Sequence, residues 1–345
     1  ACHTKPTANW DGTILQRAIT AAALRFDPER SLIQAILGPE RRFYTHMRDV
    51  RVHPLRESAE YALLLLKQGP SERAVKIAER VLALQATDGL WGYYAEETPA
   101  QMTTPDPSWA AWIGSLLLEI ARHHSALAKP VQAAVARAAT YLRTLKRPLS
   151  DDGAAAAAAY VTGDMSRLDR IQLNNYLPSV LLAQLARIHH AAARRLERLA
   201  WEQIAGQWDA PRRQFAGPAH RAVSTDLGHP LWLEKGLHRR LGLATAEYGD
   251  GPEIAALDEF NCPDDLIARF LAPLTTHEHR NSNGTTYFSP AFSLGSATHD
   301  DFSAQRRPLL AYFNGGHVRL RVVKDGYDFA AAELRATQQG ARVRG

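Results

Sequence analysis

Apolar residues recur at the helical period of about 3.6 through most of the chain, up to roughly residue 270, and then give way to alternation. The first pattern predicts short helices over Ile14 to Leu24 and Ser31 to Leu37, then a longer one over Arg56 to Gln68 that Gly69-Pro70 stops. Ser71 is placed to cap the next helix, with Glu72 in its first turn and an end near Gln85. Arg56–Gln68 and its successor form an αα-hairpin. Asp106 or Ser108 caps a further helix from Pro107 to about His123, and Pro130 opens its partner, which ends near Lys146-Arg147-Pro148. The pattern repeats over Ala154 to Val161, Pro178 to His190 and Ala191 to Gln207. The second helices carry more Arg, Lys and Glu than the first, a contrast that suggests an inner and an outer ring.

From Asn281 the chain reads as turns and strands. Thr285 to Phe288, Leu309 to Phe313 and His317 to Val323 are strand candidates, the last with Val318, Leu320 and Val322 alternating against Arg319 and Arg321. Asp325-Gly326 signals a hairpin leading into Tyr327 to Leu334. Thr285 to Leu294 is too apolar and aromatic for a free loop and reads as one strand. The fold predicted is mainly α: an incomplete α/α toroid of helical hairpins over residues 1–275, followed by a small antiparallel β region over 276–345.

The 345 residues are enough for two domains or one large helical ring. No apolar run approaches the roughly 18 residues that cross a bilayer, so no transmembrane segment is expected. The chain starts at Ala1 without a Met and shows no secretion signal; Cys2 beside the start would suit a lipid-modified cysteine. A polymeric substrate would favour a place outside the cytoplasm, and the compartment is otherwise open. The net charge of +5 with 14 His is compatible with an anionic polysaccharide without demanding one. Arg residues are scattered along helices and no nucleic-acid motif accompanies them, so nucleic acid is not the expected partner. Cys2 and Cys262 imply neither a disulfide framework nor a metal site. His277-Glu278-His279 is too closely spaced for a helical zinc motif; no metal or other cofactor is implied.

The densest chemistry lies between Gln85 and Trp112, where Trp91, Tyr93, Tyr94, Trp109 and Trp112 accompany Glu96, Glu97 and Asp106. Aromatic faces and carboxylates of this kind serve a sugar cleft or a well-anchored loop. Gln85-Ala-Thr-Asp-Gly-Leu-Trp-Gly92 resembles the Gln-Trp repeat of class II terpene cyclases, in which a Gln at a helix end and a Trp in the next turn fasten neighbouring helices. The acidic motif of those cyclases has no counterpart here, so the likeness concerns architecture. Asp106 is equally an N-cap, whereas Glu96 or Glu97 with Asp106 would make the carboxylate pair of a glycoside hydrolase.

A broader likeness rests on four segments. Val52-His-Pro-Leu-Arg-Glu-Ser-Ala-Glu-Tyr-Ala62, Trp91-Gly-Tyr-Tyr-Ala-Glu-Glu97, Pro105-Asp-Pro-Ser-Trp-Ala-Ala-Trp112 and Ala216-Gly-Pro-Ala-His-Arg-Ala222 together resemble α/α-toroid polysaccharide lyases of the heparinase II/III-like and alginate-lyase-like kind. That resemblance implies β-elimination on a uronate-containing polysaccharide or oligosaccharide. Such a reaction needs the carboxylate neutralised, a base for the C5 proton and an acid for the leaving oxygen. It points to Asn175, Tyr176 and His220 as catalytic residues, although Asn174-Asn-Tyr-Leu-Pro178 departs from the Tyr-Asn-Ser-Pro-Thr-Tyr-like segment of the family. Asn174 reads equally as a helix cap and Tyr176 as a buried aromatic. Arg221 suits a substrate carboxylate through its bidentate fork, or pairs with Asp226 or Glu202. Tyr93, Tyr94, Glu96, Glu97, Trp109 and Tyr287 complete the candidate substrate-binding set. A non-catalytic glycan-binding or scaffold protein is the remaining reading, and the oligomeric state is open.

Overall fold

A computed structural model describes residues 10–38, 45–48, 50–103, 108–144, 198, 201–202, 205, 208–212, 214–215, 262–280, 284–297, 308–313, 316–320, 322–324, 327–328, 332–337 and 340–344. The chain divides into two compact units: Ala1–Leu149, Gly153–Ile171 and His238–Glu259 make the first, and Ser150–Asp152, Gln172–Leu237 and Phe260–Gly345 the second.

In the first unit, α1 (Trp10–Ala23) turns Ile14, Ala18 and Ala22 inward at helical spacing. Short strands follow: β1 (Phe26–Asp27) pairs antiparallel with β2 (Leu32–Ile33), and β3 (Ala35–Ile36) with β4 (Arg51–Val52). The helix predicted over Ser31 to Leu37 is therefore corrected. Its apolar spacing fits a helix, but Ser31 takes φ 54°, and the residues after it find partners in two different hairpins. Local pattern yields here to tertiary pairing.

Two αα-hairpins complete this unit. They are α2 (Leu55–Gln68) with α3 (Glu72–Ala83), and α4 (Ser108–His123) with α5 (Ala128–Thr144). Gly69 closes α2 at φ 140°, and the Ser71 hydroxyl accepts from the Ala74 amide to cap α3. α2 packs on α1, β2, α3 and α4, and is buried almost all round; α3 buries one stripe, Ala74, Ile77, Ala78 and Val81.

The Gln85–Trp91 turn fastens them. Gln85 Nε2 donates to Gly89 O at 3.0 Å and to Ala134 O on α5 at 2.8 Å, while Arg137 donates to Gln85 Oε1. Trp91 Nε1 donates to Val81 O at 2.8 Å. Gly89, at φ 90°, lies so close to α5 that a Cβ would stand 2.7 Å from the Arg137 carbonyl. No side chain fits there.

In the second unit, β5 (Trp208–Asp209) pairs with β6 (Gln214–Phe215), and α6 spans Asp264–Leu271. Phe270 makes T-shaped ring contacts with Trp201 and Trp208, centroids 5.9 and 5.7 Å apart. Then β7 (His277–Arg280), β8 (Gly284–Phe288), β9 (Phe292–Ala297), β10 (Leu309–Phe313) and β11 (Gly316–Leu320) form a five-stranded antiparallel sheet in the order β11-β10-β9-β8-β7. β12 (Val323–Lys324) pairs with β13 (Tyr327–Asp328), and β14 (Glu333–Thr337) with β15 (Gly340–Arg344). Lys324 opposes Tyr327 across Asp325-Gly326, in the register of a two-residue hairpin. Thr285 to Leu294 is two strands rather than one, because Ser289 and Phe292 exchange hydrogen bonds around Pro290, which has no amide hydrogen to give a ladder.

The expected mainly α toroid is thus corrected. A five-stranded antiparallel sheet and several two-stranded sheets stand beside the helices, and β1 to β6 all lie within the span read as helical. The sheet begins at His277, close to the boundary drawn at 275/276, although the second compact unit also takes in residues 172–237. The helices predicted over Ala154 to Val161 and Pro178 to His190 lie outside the described residues.

Candidate functional site

Beyond the Gln85–Trp91 fastener the chain turns back on itself. Gly92 allows this: a Cβ there would stand 2.1 Å from Glu97 O. The returning segment runs antiparallel to the start of α2. Leu55 N donates to Tyr93 O, Ala95 N donates to His53 O, and Pro54 and Tyr94 form a β-bridge. Thr98 and Gln101 close the far end with a reciprocal capping box.

This pairing brings Glu96 onto His53 from 43 residues away. His53 N donates to Glu96 Oε2 at 3.0 Å, and His53 Nδ1 meets Glu96 Oε1 at 2.5 Å. On the other side of the ring, Nε2 lies 3.1 Å from Asp27 Oδ2. The His53 side chain is 7% exposed, against 19% for Asp27 and 27% for Glu96. A buried imidazole therefore stands between two carboxylates that reach solvent.

Asp27 is the better-held acid. Burial alone pushes its pKa up, but hydrogen bonds from His53 and from the Arg30 and Glu29 amides, with the charge of His53, outweigh this and keep it below the usual aspartate range. An ionised Asp27 can only accept, so Nε2 carries the proton on that side. On the other side Nδ1 and Glu96 Oε1 lie within hydrogen-bond distance. Asp27, His53 and Glu96 thus stand in line within hydrogen-bond distance, and the Glu96 carboxylate reaches solvent.

The aromatic residues of the same stretch are placed differently. Tyr93 stacks on Trp109 with centroids 4.2 Å apart and planes at 18°, and Tyr94 leans on Tyr93 at 4.7 Å. Arg56 lies over Trp112 and Trp109 at 5.0 and 5.9 Å, while pairing with Glu60. Tyr94 and Trp109 are buried, so their ring faces are spent on the protein, and Tyr93 is half-buried. Glu97 is half-buried, and its Oε2 has no hydrogen-bond partner among the described residues. Tyr287 lies in the second unit on β8, buried, with its hydroxyl unpartnered among the described residues. Asn175, Tyr176, His220, Arg221 and Asp106 lie outside the described residues. Glu202, one sequence candidate for pairing with Arg221, accepts from Arg198 at 2.8 Å.

Of the sequence candidates, the structure brings Tyr93, Tyr94, Glu96, Glu97 and Trp109 to one rim. His53 and Asp27 are the residues sequence reasoning missed. A His directly before the Pro that opens α2 was a faint signal for the first; for Asp27 no local signal exists. A second buried ion pair, Asp209 with Arg212 at 2.8 Å, receives the Ser293 hydroxyl at 3.0 Å and joins β5 to β9 within the second unit. Among the described residues, no group of three or more His, Cys, Asp or Glu is arranged to hold a metal ion, and no helix is long and apolar enough to cross a membrane. Compared with protein-family models, curated proteins and solved structures, the chain matches none.

Proposed function

We propose that this protein is a carbohydrate-active enzyme that cleaves a uronate-containing polysaccharide or oligosaccharide by β-elimination. The observation that carries a glycan-handling reading is the rim over residues 92–98: backbone pairing to residues 53–55 and the Glu96–His53–Asp27 contacts hold two acids and a tyrosine in one preformed arrangement. The elimination itself is assigned to Asn175, Tyr176 and His220, with Arg221 neutralising the uronate carboxylate. The positive net charge favours such a substrate.

Glycosidic hydrolysis is the second reading, and one contact favours it. Glu96 lies 2.5 Å from a buried imidazole while remaining partly exposed, an arrangement suited to a general acid. In that reading Glu96 is the catalytic residue, and His53 and Asp27 position it.

Incubation with uronate polymers separates the alternatives. Elimination raises absorbance near 230 nm, whereas hydrolysis releases reducing ends without that signal. Glu96→Gln should lower the turnover of a hydrolase by about 100-fold or more. In a lyase, where Glu96 belongs to the binding rim, it should mainly raise KM. Activity persisting in both His220→Ala and Tyr176→Phe would sink the elimination assignment, and neither product with any uronate or neutral glycan would leave a binding protein.

A further inference from the structure

An open cleft of about 670 Å³ lies between the β1–β2 hairpin and α3. Glu29, Arg30 and Ser31 line it from the hairpin, and Lys76, Glu79 and Arg80 from the helix. Its volume lies within the range of small-molecule sites, but its lining differs from the apolar norm: five of the six residues are charged.

Those charges are uncommitted. Among the described residues, none of the five side chains makes an ion pair or a side-chain hydrogen bond, although cations and carboxylates share the cleft. Several arginines elsewhere in the first unit, one of them on α3 itself, are held by partners. Arg56 is held by Glu60, Arg73 by Tyr61 and Phe26, Arg122 by Glu119, and Arg137 by Gln85. The lip of the cleft is also fixed: Asp27 Oδ1 accepts from the Glu29 and Arg30 amides, and Ser31 sits at φ 54°.

We propose that this cleft binds a small hydroxyl-rich organic anion, a sugar acid, with Arg30, Lys76 and Arg80 taking its carboxylate and Glu29, Glu79 and Ser31 its hydroxyls. Three cations against two acids give the net positive charge a monoanion needs, and carboxylates held open accept from sugar hydroxyls. The cleft stands independently of any cleavage; choosing a uronate as its ligand rests on the function proposed above.

Calorimetric titration of the full chain with sodium glucuronate, with glucose and acetate as separate arms, tests this. Glucuronate should give saturable heat, with glucose and acetate at least about tenfold weaker, because each lacks one half of the recognition. The double variant Lys76→Gln/Arg80→Gln should lose at least about tenfold in affinity with an unchanged far-ultraviolet circular dichroism spectrum. No saturable binding of glucuronate, equal affinity for acetate, or full affinity in the double variant would each overturn the proposal. If the chain cleaves no glycan yet this pattern holds, the cleft stands and the catalytic reading falls.

Discussion

His53 is the residue on which the first unit's rim depends. Removing its ring as His53→Ala leaves Asp27 and Glu96 facing across a void, with like charges and no donor between them. Fully buried, such a loss would cost several kcal/mol; the carboxylates here are partly hydrated, so a loss of about 2 kcal/mol is expected in urea denaturation at neutral pH. The acid limb gives an independent check. Asp27 has its folded pKa below the unfolded value, so the stability it contributes is complete above about pH 4 and is lost as pH falls through the lower folded value. His53 supplies the first of the contacts that lower that pKa. The difference in stability between wild type and His53→Ala should therefore shrink as pH drops below about 4; a constant difference would mean the Asp27 contact contributes nothing.

Among the connections between described elements, the Gln85–Trp91 turn is closely specified. Gln85→Ala removes two amide donations and the acceptor for Arg137, uncoupling α3 from α5; about 1.5 kcal/mol of stability should go, read from the urea midpoint. Gly89→Ala should cost more, because its Cβ meets backbone, which cannot rotate away as a side chain can. If Gln85→Ala proves neutral, the turn is not a fastener. This motif was legible beforehand because its geometry is local: a helix end, a glycine, and an indole one turn later. The Ser71 cap and the Asp325-Gly326 hairpin were legible for the same reason. Ser31 to Leu37 was not, since the same apolar spacing serves a helix or two short strands, and the choice lay with segments around Phe26 and Arg51. Ser289-Pro290 is a turn signal set inside an apolar run, where the run's hydrophobicity masks it.

For the molecule as a whole, the two units should answer acid at different pH. In the second, His279 on β7 has its pKa lowered, first by burial and then by the charge of His277. Its contribution is complete above the ordinary imidazole value of about 6.5 and is lost as pH falls through the lower folded value. Hydrogen exchange of the β7 and β8 amides should accordingly speed up between pH 7 and 5.5, after correction for intrinsic rates. His279→Gln should remove much of that change while leaving the first unit unaffected; an unaltered profile would rule out His279 as its source.

The described helices of the two hairpins, the Ser71 cap and the strands over Thr285 to Phe288 and Leu309 to Phe313 could be read from the order of residues, since each depends on neighbours a few positions away. The rim could be named from its composition, yet whether its aromatic faces were offered or spent could not. That depended on packing: Trp109 and Tyr94 close on Tyr93, and Arg56 covers the indoles. The assembly of β1 to β6 within a span that looked helical, and the line from Asp27 through His53 to Glu96, came from the folded chain. Their partners lie tens of residues apart, and nothing in a local pattern records which distant carboxylate will meet a given imidazole.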